Sequence, residues 1–220
     1  MPKLTLVIGN KNYSSWSLRP WLVLKQAGIS FNEILIAIRK PDSGSKIERY
    51  SNAGRVPVLI DGKITVWESL AICEYLAEKF ASKKIWPANR AARAAARAVS
   101  HEMHAGFTAL RSAMPMNCRA SIPQRGVSSQ VAADIQRIQR IWKEMRKKFG
   151  KGGPFLFGRF SAADAMFAPV CLRFRTYDVK LDPVCRRYAA AVLELPGIRE
   201  WVESARRETD VIPEMEVKSS

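Results

Sequence analysis

No apolar run in this chain approaches the roughly 20 residues that a membrane span needs, and the N-terminal LTLVI is too short for the apolar core of a secretory leader. A cytoplasmic protein is expected. Cysteine is scarce: Cys73, Cys118, Cys171 and Cys185 show neither C-x-x-C nor metal-ligand spacing. A chain of this size needs no disulfide staples, so four buried, reduced thiols are expected. The 2 histidines fall in His101-Glu102-Met103-His104, which is one residue short of the H-E-x-x-H zinc motif, so no metal is expected. Low-complexity tracts and internal repeats are missing as well, which sets aside disordered and solenoid architectures.

Acidic residues are the last shortage, with 20 Asp and Glu against 36 Lys and Arg, for a net charge of +16. Such an excess suits nucleic acid, an anionic membrane surface or small acidic ligands. The basic residues are spread from Lys3 to Lys218, and Arg146, Lys147 and Lys148 precede Gly150, where cations complement the end of a helix. No helix-turn-helix, zinc-finger or aromatic RNA-binding pattern accompanies the charge, so neither nucleic acid nor membrane is expected as a partner.

The 220 residues allow one large domain or two modest ones. KLTLVIG reads as a strand, SLRPWLVLKQAG as a helix stopped by Gly28, and FNEILIAI as a second strand. A short helix is expected between Pro41 and Asn52, a hairpin of VPVLID and ITVW around Gly62, and a helix over ESLAICEYLAEKF. The order βαβαββα demands crossover connections and a covered sheet. Beyond the linker signals of 81–90 the pattern is helical. Ala92, Ala96, Val99, Met103, Gly106, Leu110 and Ala113 recur at helical spacing, predicting one long helix over 91–114. Arg93, Arg97, His101, His104 and Arg111 lie on its far side, either as a solvated face or as a basic lining of an interdomain cleft. Helices are predicted over 129–149 and after Ser161, Asp182 and Pro196, with Ser161-Ala162-Ala163-Asp164 as a capping box.

These pieces together resemble a known family. A βαβαββα unit with VPVL before the hairpin and ES opening the next helix, followed by a helical part carrying S-x-x-D, resembles the cytosolic glutathione S-transferases over nearly the whole chain. SSWSLRPWL resembles the SSCSxR motif of the zeta-like classes, with Trp16 where that motif has cysteine. The resemblance implies an α/β thioredoxin-like N-terminal domain (1–80), a linker (81–90), an all-α C-terminal domain (91–213) and a tail (214–220). It also implies a homodimer with glutathione as co-substrate and a small electrophile, possibly anionic, as the second substrate.

The chemistry of the first helix is open to direct argument. Pro20 lacks an N–H and belongs in a first turn, so the helix is expected to begin near Ser15 to Ser17, with Ser15 or Ser17 as its cap. Its free amides and positive dipole end favour an anion beside Tyr13, Ser14 and Ser15. Ionising a thiol of ordinary pKa at neutral pH needs a lowering of about 1.5 to 2 units, roughly 2 to 3 kcal/mol. A helix end supplies about 0.3 to 2 kcal/mol and a hydroxyl bond to the thiolate roughly 1.5 to 3 kcal/mol, so the two together suffice. The resemblance places the catalytic hydroxyl at Ser14, with Ser15 next and Tyr13 third. It further implies Val56 before a cis Pro57 for the cysteinyl backbone, Glu68 and Ser69 for the γ-glutamyl end, and Lys40 and Arg55 for the glycyl carboxylate. Two other readings stand beside it: a glutathione-dependent maleylacetoacetate-type isomerase, which Trp16 disfavours, and a non-catalytic transferase-like binding or regulatory module.

Overall fold

The computed structural model describes residues 4–123 and 127–216. Strands β1 (Leu4–Ile8), β2 (Phe31–Leu35), β3 (Val58–Asp61) and β4 (Ile64–Trp67) form one sheet in the order β2-β1-β3-β4. β1 pairs parallel with β2, while β3 runs antiparallel to both β1 and β4. The parallel pair requires a crossover, supplied by α1 (Ser15–Gln26). Alternation along β1 divides its side chains between two faces. Leu4, Leu6 and Ile8 join the large core with Leu18 and Leu22 of α1, and Val7 joins Ile47 of α2 (Ser43–Glu48). α3 (Ser69–Lys79) packs beside α1 and completes the expected βαβαββα unit.

The α1 helix ends at Ala27, and Gly28 takes the left-handed conformation that lets the chain turn into β2. Pro20, however, lies in the second turn of α1. The helix begins where expected, but a buried helix tolerates the proline further in than first-turn placement would allow, at the expense of one bond to the Trp16 carbonyl.

The helical part comprises α4 (Arg90–Ala105), α5 (Thr108–Ala113), α6 (Ser129–Phe149), α7 (Ala162–Thr176), α8 (Pro183–Leu193) and α9 (Pro196–Arg207). The single helix expected over 91–114 is in fact two. Gly106 is extended and Phe107 left-handed at φ 57°, so the chain kinks and α5 leaves the line of α4. Ala92, Ala96, Val99 and Met103 are buried as the periodicity requires, but the break re-aims Arg111. Helix α7 is buried on nearly every side and lies against α1, α4 and α8. Its start is the predicted capping box: Asp164 accepts from Ser161 N at 2.8 Å and from Leu156 N at 3.0 Å. Burial pushes the Asp164 carboxyl up to about 6, against these hydrogen bonds. All four cysteines are unpaired and buried. No described helix is long and apolar enough to cross a membrane.

Candidate functional site

The loop between β1 and α1 is held from both parts of the chain. Asn10 Oδ1 accepts from Ile38 N at 2.8 Å, and the Glu208 carboxylate accepts from Lys11 N at 2.6 Å and Asn12 N at 3.0 Å. Asn12 Nδ2 donates to Asn117 Oδ1 at 3.0 Å, and Trp201 Nε1 to Lys11 O at 2.7 Å. Gly9 completes the convergence. A Cβ there would stand 2.9 Å from Ile38 and 3.2 Å from Ser14 and Val56, so only glycine lets the strand end meet all three this closely.

Within this fixed loop the three candidate hydroxyls have different partners. Ser14 is the helix cap, in place of the expected Ser15 or Ser17. Its Oγ accepts from Ser17 N at 3.4 Å and shares a 2.7 Å hydrogen bond with Ser17 Oγ, which accepts from Gly9 N at 3.1 Å. Ser15 Oγ accepts from Arg173 Nη2 at 3.4 Å. Tyr13 is engaged elsewhere: its hydroxyl donates to Glu216 at 2.5 Å and accepts from Arg119 Nη2 at 2.8 Å. Burial, and next the bond to Glu216, raise its pKa above the ordinary phenol value.

Above α1 opens a cavity of about 640 Å³, lined by Tyr13, Ser14, Ser15 and Trp16 on one side and by Arg111, Met116 and Arg173 of the helical part on the other. A second cavity of about 260 Å³ adjoins it, sharing Trp16, Arg55, Val56 and Arg111 and adding Pro57, Glu68, Ser69 and His104. The Val56–Pro57 peptide bond is cis. Glu68 has φ 68°, a left-handed conformation that costs a non-glycine residue about 1 to 3 kcal/mol and that clusters at ligand clamps. Directly after it, Ser69 Oγ at the start of α3 is buried with no hydrogen-bond partner among the described residues, as is His104 Nδ1. His104 Nε2 stands 3.6 Å from Glu68 Oε2, and burial, then Arg19, lower the pKa of the imidazole.

Trp16 lines both cavities and carries a basic cluster. The Arg19 guanidinium lies 4.1 Å from its ring centre, that of Arg111 lies at 5.3 Å, and His104 meets it edge-on at 5.1 Å. Burial, followed by repulsion from neighbouring arginines, lowers Arg19 to about 9 and Arg173 to about 10.

Two sequence profiles match the chain: "Glutathione S-transferase, N-terminal domain" over residues 13–79 and "Glutathione S-transferase, C-terminal domain" over 128–204. The chain belongs to the glutathione S-transferase family. Among solved structures, a glutathione transferase homologue from Burkholderia GL BGR1 with bound glutathione is similar at TM-score 0.70 and 23% identity. The match covers 93% of this chain and 98% of that one. A Tau class glutathione S-transferase from mango, Mangifera indica, matches at TM-score 0.70 and 18% identity, over 93% of this chain and 96% of the other. At these identities the likeness concerns the fold. A dichloromethane dehalogenase from Methylophilus leisingeri is 51% identical over 39 residues, which is 18% of this chain and only 15% of the dehalogenase.

In this glutathione transferase fold, Ser14, Ser15, Arg55, Val56, Pro57, Glu68 and Ser69 all border the two cavities. Lys40 does not line either; its Nζ pairs with Asp210 at 2.8 Å. Arg39, next to it in sequence, takes a left-handed φ of 64° and lines the larger cavity. Of the basic face of α4, only His104 reaches the site. Arg97 forms a double hydrogen bond with Glu74, Arg93 donates to Pro87 O and Ala88 O, and Glu102 is taken by Arg137. Sequence reasoning missed Arg173, which sits in an apolar helical pattern, and Arg119, Glu208, Asp210 and Glu216, which reach the N-terminal loop only through the tertiary fold. Glu216 falls in the stretch read as a tail, whose last residues, 217–220, lie outside the described residues.

Proposed function

We propose that this protein binds glutathione and activates its thiol for attack on an electrophile, as a serine-type glutathione transferase of the cytoplasm. The observation that carries the reading is the pair of buried hydroxyls, Ser14 and Ser15, at the positive end of α1 on the floor of the larger cavity. Ser15 is the better donor, since no acceptor takes its hydroxyl hydrogen among the described residues and Arg173 polarises its oxygen. Ser14 caps the helix and its hydroxyl donates to Ser17 Oγ at 2.7 Å, so it serves the sulfur only by turning that hydrogen away from Ser17. Helix end and hydroxyl together supply the roughly 2 to 3 kcal/mol that thiol ionisation requires.

The rest of the peptide follows. Val56 before the cis proline offers its backbone to the cysteinyl unit in the manner of an added strand. The unpartnered Ser69 hydroxyl at the start of α3 is suited to the γ-glutamyl carboxylate, and the Glu68 carboxylate to the ammonium. Arg55, which lines both cavities, is the cation assigned in this reading to the glycyl carboxylate, while Lys40 would have to leave Asp210 to serve it. A homodimer is part of the reading. Isomerisation of a maleyl-type diacid is the second reading, favoured by the basic cluster around Trp16.

The test is a titration of the glutathione thiol, free and protein-bound, by its ultraviolet thiolate absorbance, together with a conjugation assay. A bound thiol ionising at least about one unit lower than the free one is expected. Equal values would refute the mechanism. Retention of glutathione without turnover would support the binding module instead.

A further inference from the structure

Resting on that reading, we propose that Arg111 and Arg173 form a carboxylate-binding subsite for the second substrate, so that the preferred electrophiles carry a carboxylate beside the reacting carbon. Elsewhere in the molecule buried Lys11 pairs with Glu33 and half-buried Arg137 with Glu102, while half-buried Arg93 and Arg146 are held by backbone carbonyls. Around the larger cavity Arg19, Arg111 and Arg173 gather without such a carboxylate bond, and Arg19 and Arg173 are buried. Arg173 is only 4% exposed, yet it donates to three neutral acceptors: Met114 O at 2.8 Å, Pro169 O at 3.4 Å and Ser15 Oγ at 3.4 Å. Arg111 donates to His104 O at 3.3 Å and otherwise lies on Trp16. Arg19, fully buried behind Trp16, has no hydrogen-bond partner among the described residues for any of its side-chain nitrogens. Among the described residues none of the three forms an ion pair.

Three neighbouring guanidinium groups without a direct ion pair are costly to bury; Asp134 near Arg111 and Glu68 near Arg19 offset this only in part, and a bound anion relieves both the desolvation and the mutual repulsion. Arg19 lines neither cavity, so its role is to add field from behind Trp16, whereas Arg111 and Arg173 reach the open space. Both belong to the helical part, across the cavity from the cis-proline loop and from Glu68 and Ser69, where glutathione is seated in the proposed reading. The planar forks of two arginines suit a carboxylate, and the hydroxyls of Thr108 and Ser112 on the same wall provide further donors. Trp16 is the platform that holds Arg19 and Arg111 at the boundary between the proposed thiol and electrophile positions.

The test compares a chloronitrobenzoate with its neutral carboxamide. In both, the glutathione sulfur attacks the carbon bearing chlorine, the C–S bond forms, chloride leaves with the C–Cl electron pair, and the thiol proton passes to solvent. After correction for the uncatalysed rates, the wild-type protein is expected to favour the carboxylate by about tenfold or more in kcat/KM. In Arg111→Gln that ratio falls toward one, and in Arg111→Lys much of it is kept, because the charge survives. A wild-type ratio near one, or a ratio unchanged in Arg111→Gln, overturns the subsite while leaving glutathione activation standing, provided the carboxamide is conjugated. A rise in the KM for glutathione in Arg111→Gln with an unaltered ratio also overturns it and assigns Arg111 to the glutathione site. Absence of both glutathione retention and turnover refutes the two readings together.

Discussion

Replacing Ser15 by alanine tests the catalytic reading at its centre. The side chain is buried, and its recorded partner is Arg173 Nη2 at 3.4 Å, so its loss leaves Arg173 with two carbonyl acceptors and opens no gap in the apolar core. What disappears is one donor to a sulfur anion, worth roughly 1.5 to 3 kcal/mol, while the helix end keeps its own contribution of about 0.3 to 2 kcal/mol. The thiol pKa in the complex should therefore rise by about 1 to 2 units, and the thiolate fraction at neutral pH should fall about tenfold to a hundredfold. The assay is kcat/KM against pH with a neutral electrophile, so that the arginines contribute little. Because the thiolate is the reactive form, kcat/KM rises with pH through the thiol pKa. The acid limb of the Ser15→Ala profile should move to higher pH by the same 1 to 2 units, with the alkaline plateau largely recovered. A limb that stays in place while the plateau drops at every pH would refute the argument, since the hydroxyl would then be shaping the pocket and not holding the anion. A limb that moves for Ser14→Ala and not for Ser15→Ala would transfer the role to Ser14.

Ser14→Ala should lower the stability of the protein by about 0.5 to 2 kcal/mol in denaturant unfolding, because it removes the cap of α1, whereas Ser15→Ala should leave the midpoint nearly unchanged. Tyr13→Phe should not move the acid limb, since the phenol is committed to Glu216 and Arg119; a shift comparable to that of Ser15→Ala would make Tyr13 the thiol donor. Asp164→Ala should cost about 2 to 4 kcal/mol, because the amides of Leu156 and Ser161 lose their acceptor in a buried site. Its pH dependence has a definite sign. The Asp164 carboxyl is raised in the folded state to about 6, so the folded protein holds a proton that the unfolded chain has released above about 4. The wild-type protein should lose stability from this group as pH rises from about 4 through 6, and Asp164→Ala should lack that part of the slope. Identical slopes in parallel unfolding series would refute the assignment.

Much of the fold was legible in the sequence because its signals are local. Short apolar runs marked β1 and β3, helical periodicity marked α4 and α6, and Ser161 to Asp164 marked the start of α7 through a motif that closes within four residues. The junction at Tyr13 to Ser17 was likewise legible as a site for an anion, since a helix start bordered by hydroxyls presents donors whatever lies around it. The break at Gly106 and Phe107 was hidden, because the apolar spacing runs through it unchanged. So was the division of labour among the hydroxyls, which depends on partners far away in the chain: Glu216 and Arg119 occupy Tyr13, and Arg173 reaches Ser15 from the middle of α7. The sequence by itself determined which elements form and where a negative charge would be welcome, because backbone geometry and dipoles act over neighbouring residues. Only the tertiary structure decided which arginines stand without carboxylates beside that position, because charge pairing is a property of contacts in space and not of order along the chain.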